Sequence, residues 1–322
     1  MKTIVVTGGA GLVGSNLVAG LNRGGCERIV IIDSLDDGGK WKNLLPLKFL
    51  DFLDYRLGVE AMGQTLSRLE LEAVFHVGAN TDVLVRDARL MTEANLAYSR
   101  CYLGAAINRS VPFIYASSSA IYGSSKVFSP SHENERPLNP YALSKWMFDN
   151  YVRGLLASPG GGAPIVGVRF FNVYGQPESH KGRNASIPFR FYELLKTKGT
   201  IELFAGADEI RRDYVSVGDA VRVLMRALEA PPASGIYNLG SGVATSHRRV
   251  AEIVVEAFRR AGKLGERSNE AITAVSFPEE FKDSFQFFTC AEDVAPWITG
   301  LGLTAPSSGI ARYVDELIET GA

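Results

Sequence analysis

Tyr141 and Lys145 stand four residues apart at the start of a segment with helical patterning, so a phenol and an ammonium project from one face of its first turn. An ammonium beside a phenol favours phenolate, which draws the tyrosine pKa toward the working pH and makes it a competent proton acceptor and donor. The spacing also occurs on ordinary helices, where it means a half-buried tyrosine and a solvated lysine. What precedes it favours chemistry here. Val111 to Ala116 reads as a strand that runs directly into Ser117-Ser118-Ser119, and Pro137-Leu138-Asn139-Pro140 then stops regular structure and opens the helix.

The stretch that must bring something to these groups is the first one. An apolar run from Thr3 to Val6 breaks into Thr7-Gly8-Gly9-Ala10-Gly11-Leu12-Val13-Gly14 and then into a stripe of Leu12, Val13, Leu17, Val18 and Leu21. That is a strand, a tight turn and a helix start. Gly8, Gly11 and Gly14 have the spacing that permits the turn, lets backbone approach a pyrophosphate and packs helix on strand, with free N–H groups facing the anion. Asp33 closes the next apolar run, Ile29 to Ile32, at about the 20-residue distance at which an acid meets a ribose diol. A dinucleotide is therefore expected. Lys40 suits a 2′-phosphate while Asp33 suits a free 2′-hydroxyl, so NADP and NAD stay open. Asp36 and Asp37 read as a solvated loop.

Further elements alternate in the same way. Lys48 to Asp51 and Ala73 to Ala79 are strand candidates, the second ending in small residues that leave room for a cofactor at Ala79; Glu93 to Ile107, carrying Asn95, is helical. His76 has no partner acid at fixed spacing and reads as a satisfied core histidine. Ser158 to Pro164 is a surface loop, Ile165 to Phe171 a strand, Val217 to Ala230 a helix, and Gly235 to Gly240 a strand and turn. The pattern predicts an α/β protein with a Rossmann-like, doubly wound parallel sheet and ligands outside the strands' carboxyl ends, plus a smaller, mainly helical C-terminal substrate lobe. Its dinucleotide-binding domain is expected over 1–171 with about 212–239, and the substrate lobe over 172–211 with about 240–322.

The chain has 322 residues and a formal charge of −1, with no basic cluster, which argues against nucleic acid and membrane as partners. Cys26, Cys101 and Cys290 are odd in number and in no metal-ligand spacing, so no metal is expected and reduced thiols are. The N-terminus enters a strand without a leader pattern, and no apolar run is long enough for a membrane span, so a cytoplasmic protein is expected.

These motifs resemble the extended short-chain dehydrogenase/reductases that act on nucleotide sugars, and within them the ADP-glycero-manno-heptose 6-epimerase family: TGGAGLVG, DSLDDGGKWKNL, YALSKWMFDNYV, VGVRFFNVYGQPESHKGRNAS and RRDYVSVGD follow that pattern over essentially the whole chain. The resemblance implies a bound NADP or NAD, a nucleotide-diphosphate sugar as substrate, and a homo-oligomer. It implies Ser118, Tyr141 and Lys145 as a catalytic set and Lys181, in His180-Lys181-Gly182, as a second acid/base rather than a solvated lysine. Cofactor contacts are implied at Leu12, Val13, Ser34, Asp51, Phe52, Ala79 and Asn95, and sugar contacts at Ser119, Asn172, Ser179, His180, Arg212 and Phe285. Arg212 could instead pair with Asp213. The chain departs from the pattern in Lys282-Asp283-Ser284-Phe285-Gln286, where Phe285 stands for an expected hydroxyl, and in the less polar Asn80 to Val85. Ser119 and Ala120 occupy the positions of a dehydratase's acid pair, which disfavours elimination of water. A 4-epimerase of a UDP- or dTDP-hexose and a non-catalytic NAD(P)-binding protein are the alternatives.

Overall fold

The computed structural model describes residues 2–36, 39–82, 85–157, 162–264, 271–279 and 285–321. Asp37, Val83-Leu84, Ser158 to Gly161 and Lys282 to Ser284 lie outside them. The chain runs β1 (Thr3–Thr7), α1 (Leu12–Arg23), β2 (Ile29–Asp33), β3 (Asp51–Asp54), α2 (Val59–Ser67), β4 (Leu71–His76), α3 (Ala88–Met91), α4 (Tyr98–Arg109), β5 (Phe113–Ser118), α5 (Pro140–Leu156) and β6 (Ile165–Phe170). It continues with β7 (Asn172–Tyr174), α6 (Ile187–Lys198), β8 (Ile201–Phe204), β9 (Arg211–Ser216), α7 (Val217–Glu229), β10 (Gly235–Leu239), β11 (Ala244–Ser246), α8 (His247–Arg260), β12 (Ile272–Val275), α9 (Pro296–Thr299) and α10 (Pro306–Thr320).

Seven strands form one sheet in the order β10-β6-β5-β4-β1-β2-β3, and every pairing in it is parallel. Strands buried on both faces read as unbroken apolar runs, as Thr3–Thr7 and Ile29–Asp33 do. Alternation along β1 sends Ile4 and Val6 into a core with Leu17, Val18 and Leu21 of α1 and Val221 and Leu224 of α7. Val5 goes to the other face, with Met62 and Leu66 of α2, Leu103 of α4 and Phe148 and Val152 of α5. The fold is thus a Rossmann-like sheet covered on both sides. Because every strand is parallel, the ends of β1, β2, β4, β5 and β6 open on one edge, and the catalytic candidates collect there.

A smaller lobe follows, with the C-terminal helices α8 to α10. Tyr192 and Leu195 of α6, Val250, Val254 and Phe258 of α8, and Ile310, Val314 and Leu317 of α10 make its core. Two small sheets serve it, β11-β9-β7 and β12-β8.

Two element boundaries differ from the sequence pattern. The third strand is Asp51–Asp54, three residues later than Lys48 to Asp51, because pairing begins at Asp51 opposite Val30, and Leu50 faces solvent. The helix expected over Glu93 to Ile107 starts at Ala88 and contains a π-helical turn, Thr92–Ala97, where the Ser99 hydroxyl takes the carbonyl of Asn95.

Candidate active site

The glycine turn is built by close approach. Gly8 has φ +69°, and a Cβ on Gly14 would lie 2.0 Å from the Gly8 carbonyl oxygen, so the third glycine is what lets α1 sit on β1. Helix α1 begins without a side-chain cap and without an acid in its first turn, which leaves its leading N–H groups available to an anion. Asp33, at the end of β2, accepts from the Ala10 N–H at 2.8 Å, the Ser34 N–H at 2.8 Å and the Lys40 ammonium at 2.5 Å. Asp33 and Lys40 are therefore one ion pair rather than separate determinants. A pocket of about 280 Å³ beside it is lined by Ser34, Lys40, Tyr55, His76, Ala79, Asn80 and Tyr98 among others.

A larger cleft of about 680 Å³ shares Gly8, Asp33, Lys40 and Ala79 with that pocket and continues past Gly11, Leu12, Val13 and Gly14 to Ser118, Tyr141, Lys145, Asn172, His180 and Lys181. Asn139 caps α5 by accepting from the Ala142 N–H at 2.9 Å, with Pro140 in the first turn. The cap presents Tyr141 to the cleft. Lys145 is 6% exposed and donates to the Ala116 carbonyl at 2.7 Å. Burial lowers its pKa to about 8, opposed by the carboxylate of Asp149. Burial raises the Tyr141 phenol above its ordinary range, and a hydrogen bond with the Ser118 side chain draws it back. The depressed tyrosine pKa expected from Lys145 is thus absent in the protein alone; Ser118 is the group that opposes burial there. Ser118 Oγ accepts from the Ala120 N–H at 3.1 Å, which leaves its proton for the Tyr141 phenol oxygen in the protein alone.

Across the cleft, Ser179–Asn184 forms two 3₁₀ turns broken at Gly182, which place His180 and Lys181 on the lining and leave Ser179 exposed, away from it. Burial, aided by the cations of Lys40 and Lys181, pushes His180 down to about 4. It is neutral at neutral pH. Asn172 lines the cleft and donates to the Asp213 carbonyl at 3.1 Å. Arg212 makes no pair with Asp213, whose carboxylate accepts from the N–H groups of Ser241, Gly242 and Ala291 and from the Ser241 hydroxyl. Alternation along β9 turns Arg212 the other way, with its guanidinium 5.2 Å from the ring centre of Phe285. Burial lowers Arg212 to about 10. Phe285 packs edge-on to Phe277 and Phe287. Arg212, Phe285 and the buried Ser119 do not line the cleft, nor do Asp51 and Phe52 on the edge strand.

Asn95 acts as a brace. Its amide accepts from the Asn80 N–H at 2.8 Å and donates to the Asn80 carbonyl at 3.0 Å and to Ser144 Oγ at 2.9 Å, and Ser144 in turn donates to the Tyr141 carbonyl at 2.7 Å. His76 is the satisfied core histidine expected. Thr7 Oγ1 accepts from the Gly78 N–H, so its proton goes to His76 Nδ1 at 2.7 Å, and Nε2–H donates to Ser99 Oγ at 2.7 Å. Residues without a sequence signal also hold the site. Asn43 donates to the Ala10 carbonyl at 2.8 Å and to His180 Nδ1 at 3.3 Å, and Asn16 donates to the Gln176 carbonyl at 2.7 Å. Their partners are 33 to 160 residues away, which no local pattern encodes.

No group of three or more His, Cys, Asp or Glu among the described residues could hold a metal ion, and no helix among them is long and apolar enough to cross a membrane. The chain is 39% identical over 329 residues to the ADP-L-glycero-D-manno-heptose-6-epimerase of Thiobacillus denitrificans, covering 98% of both chains. Its structure resembles that of the Helicobacter pylori ADP-L-glycero-D-manno-heptose-6-epimerase with a TM-score of 0.83 at 28% identity, covering 98% of this chain and 96% of that one. It also resembles the Thermus thermophilus UDP-glucose 4-epimerase in complex with NAD, with a TM-score of 0.74 at 27% identity over 99% of both chains. Residues 4–240 match the NAD dependent epimerase/dehydratase family, and with near-complete coverage by a 39% identical relative the chain belongs to that family.

Proposed function

We propose that this protein epimerises a nucleotide-activated sugar by transient hydride transfer to NAD or NADP, and that the sugar is ADP-glycero-manno-heptose, inverted at its sixth carbon. The observation that supports this is the cleft running from the glycine turn to both Tyr141 and Lys181, two side chains from separate elements whose chemistry suits proton transfer. The glycine cradle and the uncapped start of α1 fit a pyrophosphate. Gly8, Gly11, Leu12, Val13 and Gly14 would hold it there, Asp33, Ser34 and Lys40 the adenosine ribose, and Ala79, Tyr141 and Lys145 the nicotinamide end. When bound, the nicotinamide supplies a reversible hydride acceptor and, oxidised, a positive charge. Tyr141 takes the hydroxyl proton of the substrate and returns it, Lys145 steadies the phenolate, and Ser118 donates to the oxygen where negative charge develops. Lys181 serves the opposite orientation of the hydroxyl.

On this reading residues 1–171 with about 212–239 hold the cofactor, and 172–211 with about 240–322 hold the sugar. Free thiols at Cys26, Cys101 and Cys290 support a cytoplasmic location, and we expect a homo-oligomer. The test is a pair of variants assayed on the heptose. Tyr141→Phe and Lys181→Met should each lose roughly 10²–10⁴-fold in rate, the usual worth of a positioned acid/base, while keeping fold and cofactor content. Near-normal turnover by the Lys181 variant beside a dead Tyr141 variant would favour a ring 4-epimerase of a UDP- or dTDP-hexose, which needs one base and a repositioned sugar.

A further inference from the structure

Behind the cleft lies a largely buried ion cluster that hydrogen-bonds to none of the reacting groups. Asp149, one turn beyond Lys145 on α5, is fully buried, as is Arg169 of β6, and Glu135 is 5% exposed. The Asp149 carboxylate accepts from Tyr115 OH at 2.9 Å, Ser117 Oγ at 2.9 Å, and Arg169 Nε and Nη2 at 3.0 and 2.8 Å. Those donors come from β5 and β6, so one α5 side chain ties that helix to two strands. Glu135, six residues before Tyr141, accepts from Arg169 Nη2 and from both terminal nitrogens of Arg153. The loop delivering Tyr141 is thereby held by the same cluster. Lys145 donates to the carbonyl of Ala116, the residue between Tyr115 and Ser117. One three-residue stretch of β5 thus takes Asp149 through its side chains and Lys145 through its backbone.

We propose that Asp149 is a positioning residue for the reaction, fixing the place of Lys145 and keeping it an ammonium through this buried cluster. The inference rests on the role assigned to Lys145 above. The charged and titratable groups around Lys145 are few. His76 on β4 is neutral, its pKa driven well below the ordinary value by burial and by Lys145 itself. Tyr141 carries the phenol, and Lys181 and Arg183 share the cleft as cations. Arg169 on β6 and Arg153 on α5 add positive charge, balanced by Glu135 and Asp149. The Asp149 carboxylate, one turn along α5, is the charge that opposes the desolvation of Lys145.

The test is the ionisation of Lys145 itself, read from its ¹³Cε resonance in protein labelled at lysine, assigned by loss of the signal in Lys145→Met, beside the pH–rate profile of epimerisation. In Asp149→Asn the Lys145 resonance should titrate about one pH unit lower, the low end of the shift an adjacent opposite charge produces, and the alkaline limb of the rate profile should move down with it. Ser117→Ala deletes a neutral donor and keeps every charge, so it should leave the titration in place. Should Asp149→Asn not fold, Glu135→Gln carries the test with a smaller shift in the same direction, because Glu135 joins the cluster through Arg169 and does not itself act on Lys145. An unchanged Lys145 titration in the folded variant, or an equal shift in Ser117→Ala, overturns the proposal. A shifted resonance in a protein that epimerises no sugar would sink the functional reading and leave the electrostatic one standing.

Discussion

Lys40 is 2.5 Å from Asp33, so the end of β2 offers a cofactor a charge pair and not a lone acid. Removing the cation has two consequences with one sign. A 2′-phosphate loses a charge-assisted contact, and the bared carboxylate repels it while remaining a good acceptor for a free 2′-hydroxyl. Lys40→Ala should therefore weaken NADP relative to NAD by on the order of 1.5–3 kcal/mol, about 10- to 150-fold in relative Kd. Fluorescence titration of stripped protein with both nucleotides measures it, and equal losses would mean that Lys40 does not meet the 2′ position. Tyr141, Lys145, Gly8 and Asp33 were legible in the sequence because each belongs to a short motif. Arg212 was half legible: its motif marked it, but alternation along β9 and the four donors on Asp213 decide which way it points, and those come from residues 241, 242 and 291.

The strand, turn and helix spanning β1 and α1 form the element on which cofactor binding depends in the proposed reading. A methyl group on Gly14 has no place to go, since the Gly8 oxygen would be 2.0 Å away. Gly14→Ala should separate α1 from β1, lower Tm and yield protein purified without nicotinamide absorbance, at a cost of about 1–3 kcal/mol or more for forced overpacking. Protein that keeps its cofactor and Tm would show that the turn tolerates the shift. Element types were readable wherever the signal is local: apolar runs between turns for β1, β2 and β6, and a proline-led start for α5. They were misread where a tertiary contact sets the boundary. The π turn before α4 exists because Asn95 braces Asn80 and Ser144 while Ser99 holds its carbonyl, and the edge strand β3 starts where β2 offers partners.

Across the molecule, two lobes close on one cleft through contacts such as Asn43 to His180 and Asn16 to Gln176, and burial at that cleft and inside each lobe keeps His180, His76 and His247 neutral. His180 and His247 are pushed down to about 4 and about 3, both mainly by burial, and His76 well below its ordinary value. The unfolded chain takes up protons at these histidines below about pH 6.5, where the folded chain does not, so their contribution is full above that pH and lost as pH falls toward 4. The urea midpoint should drop between pH 7.5 and pH 5.5, and less so in His247→Gln; a midpoint independent of pH over that range would contradict the assignment. The α/β class and the covered parallel sheet followed from alternating apolar runs, whereas the cluster of Asp149, Arg169 and Glu135 did not, since its members are scattered over 35 positions and meet only in the fold. In the proposed reaction hydride leaves one carbon of the substrate and returns to it. The direct measurement is incubation with ADP-glycero-manno-heptose deuterated at the sixth carbon, followed by NMR. The expected result is a mixture of the two sixth-carbon epimers that retain deuterium, with bound cofactor unchanged at the end and added NAD(P)H not consumed. An unaltered sixth carbon, deuterium washed out to solvent, or stoichiometric consumption of nicotinamide would contradict it.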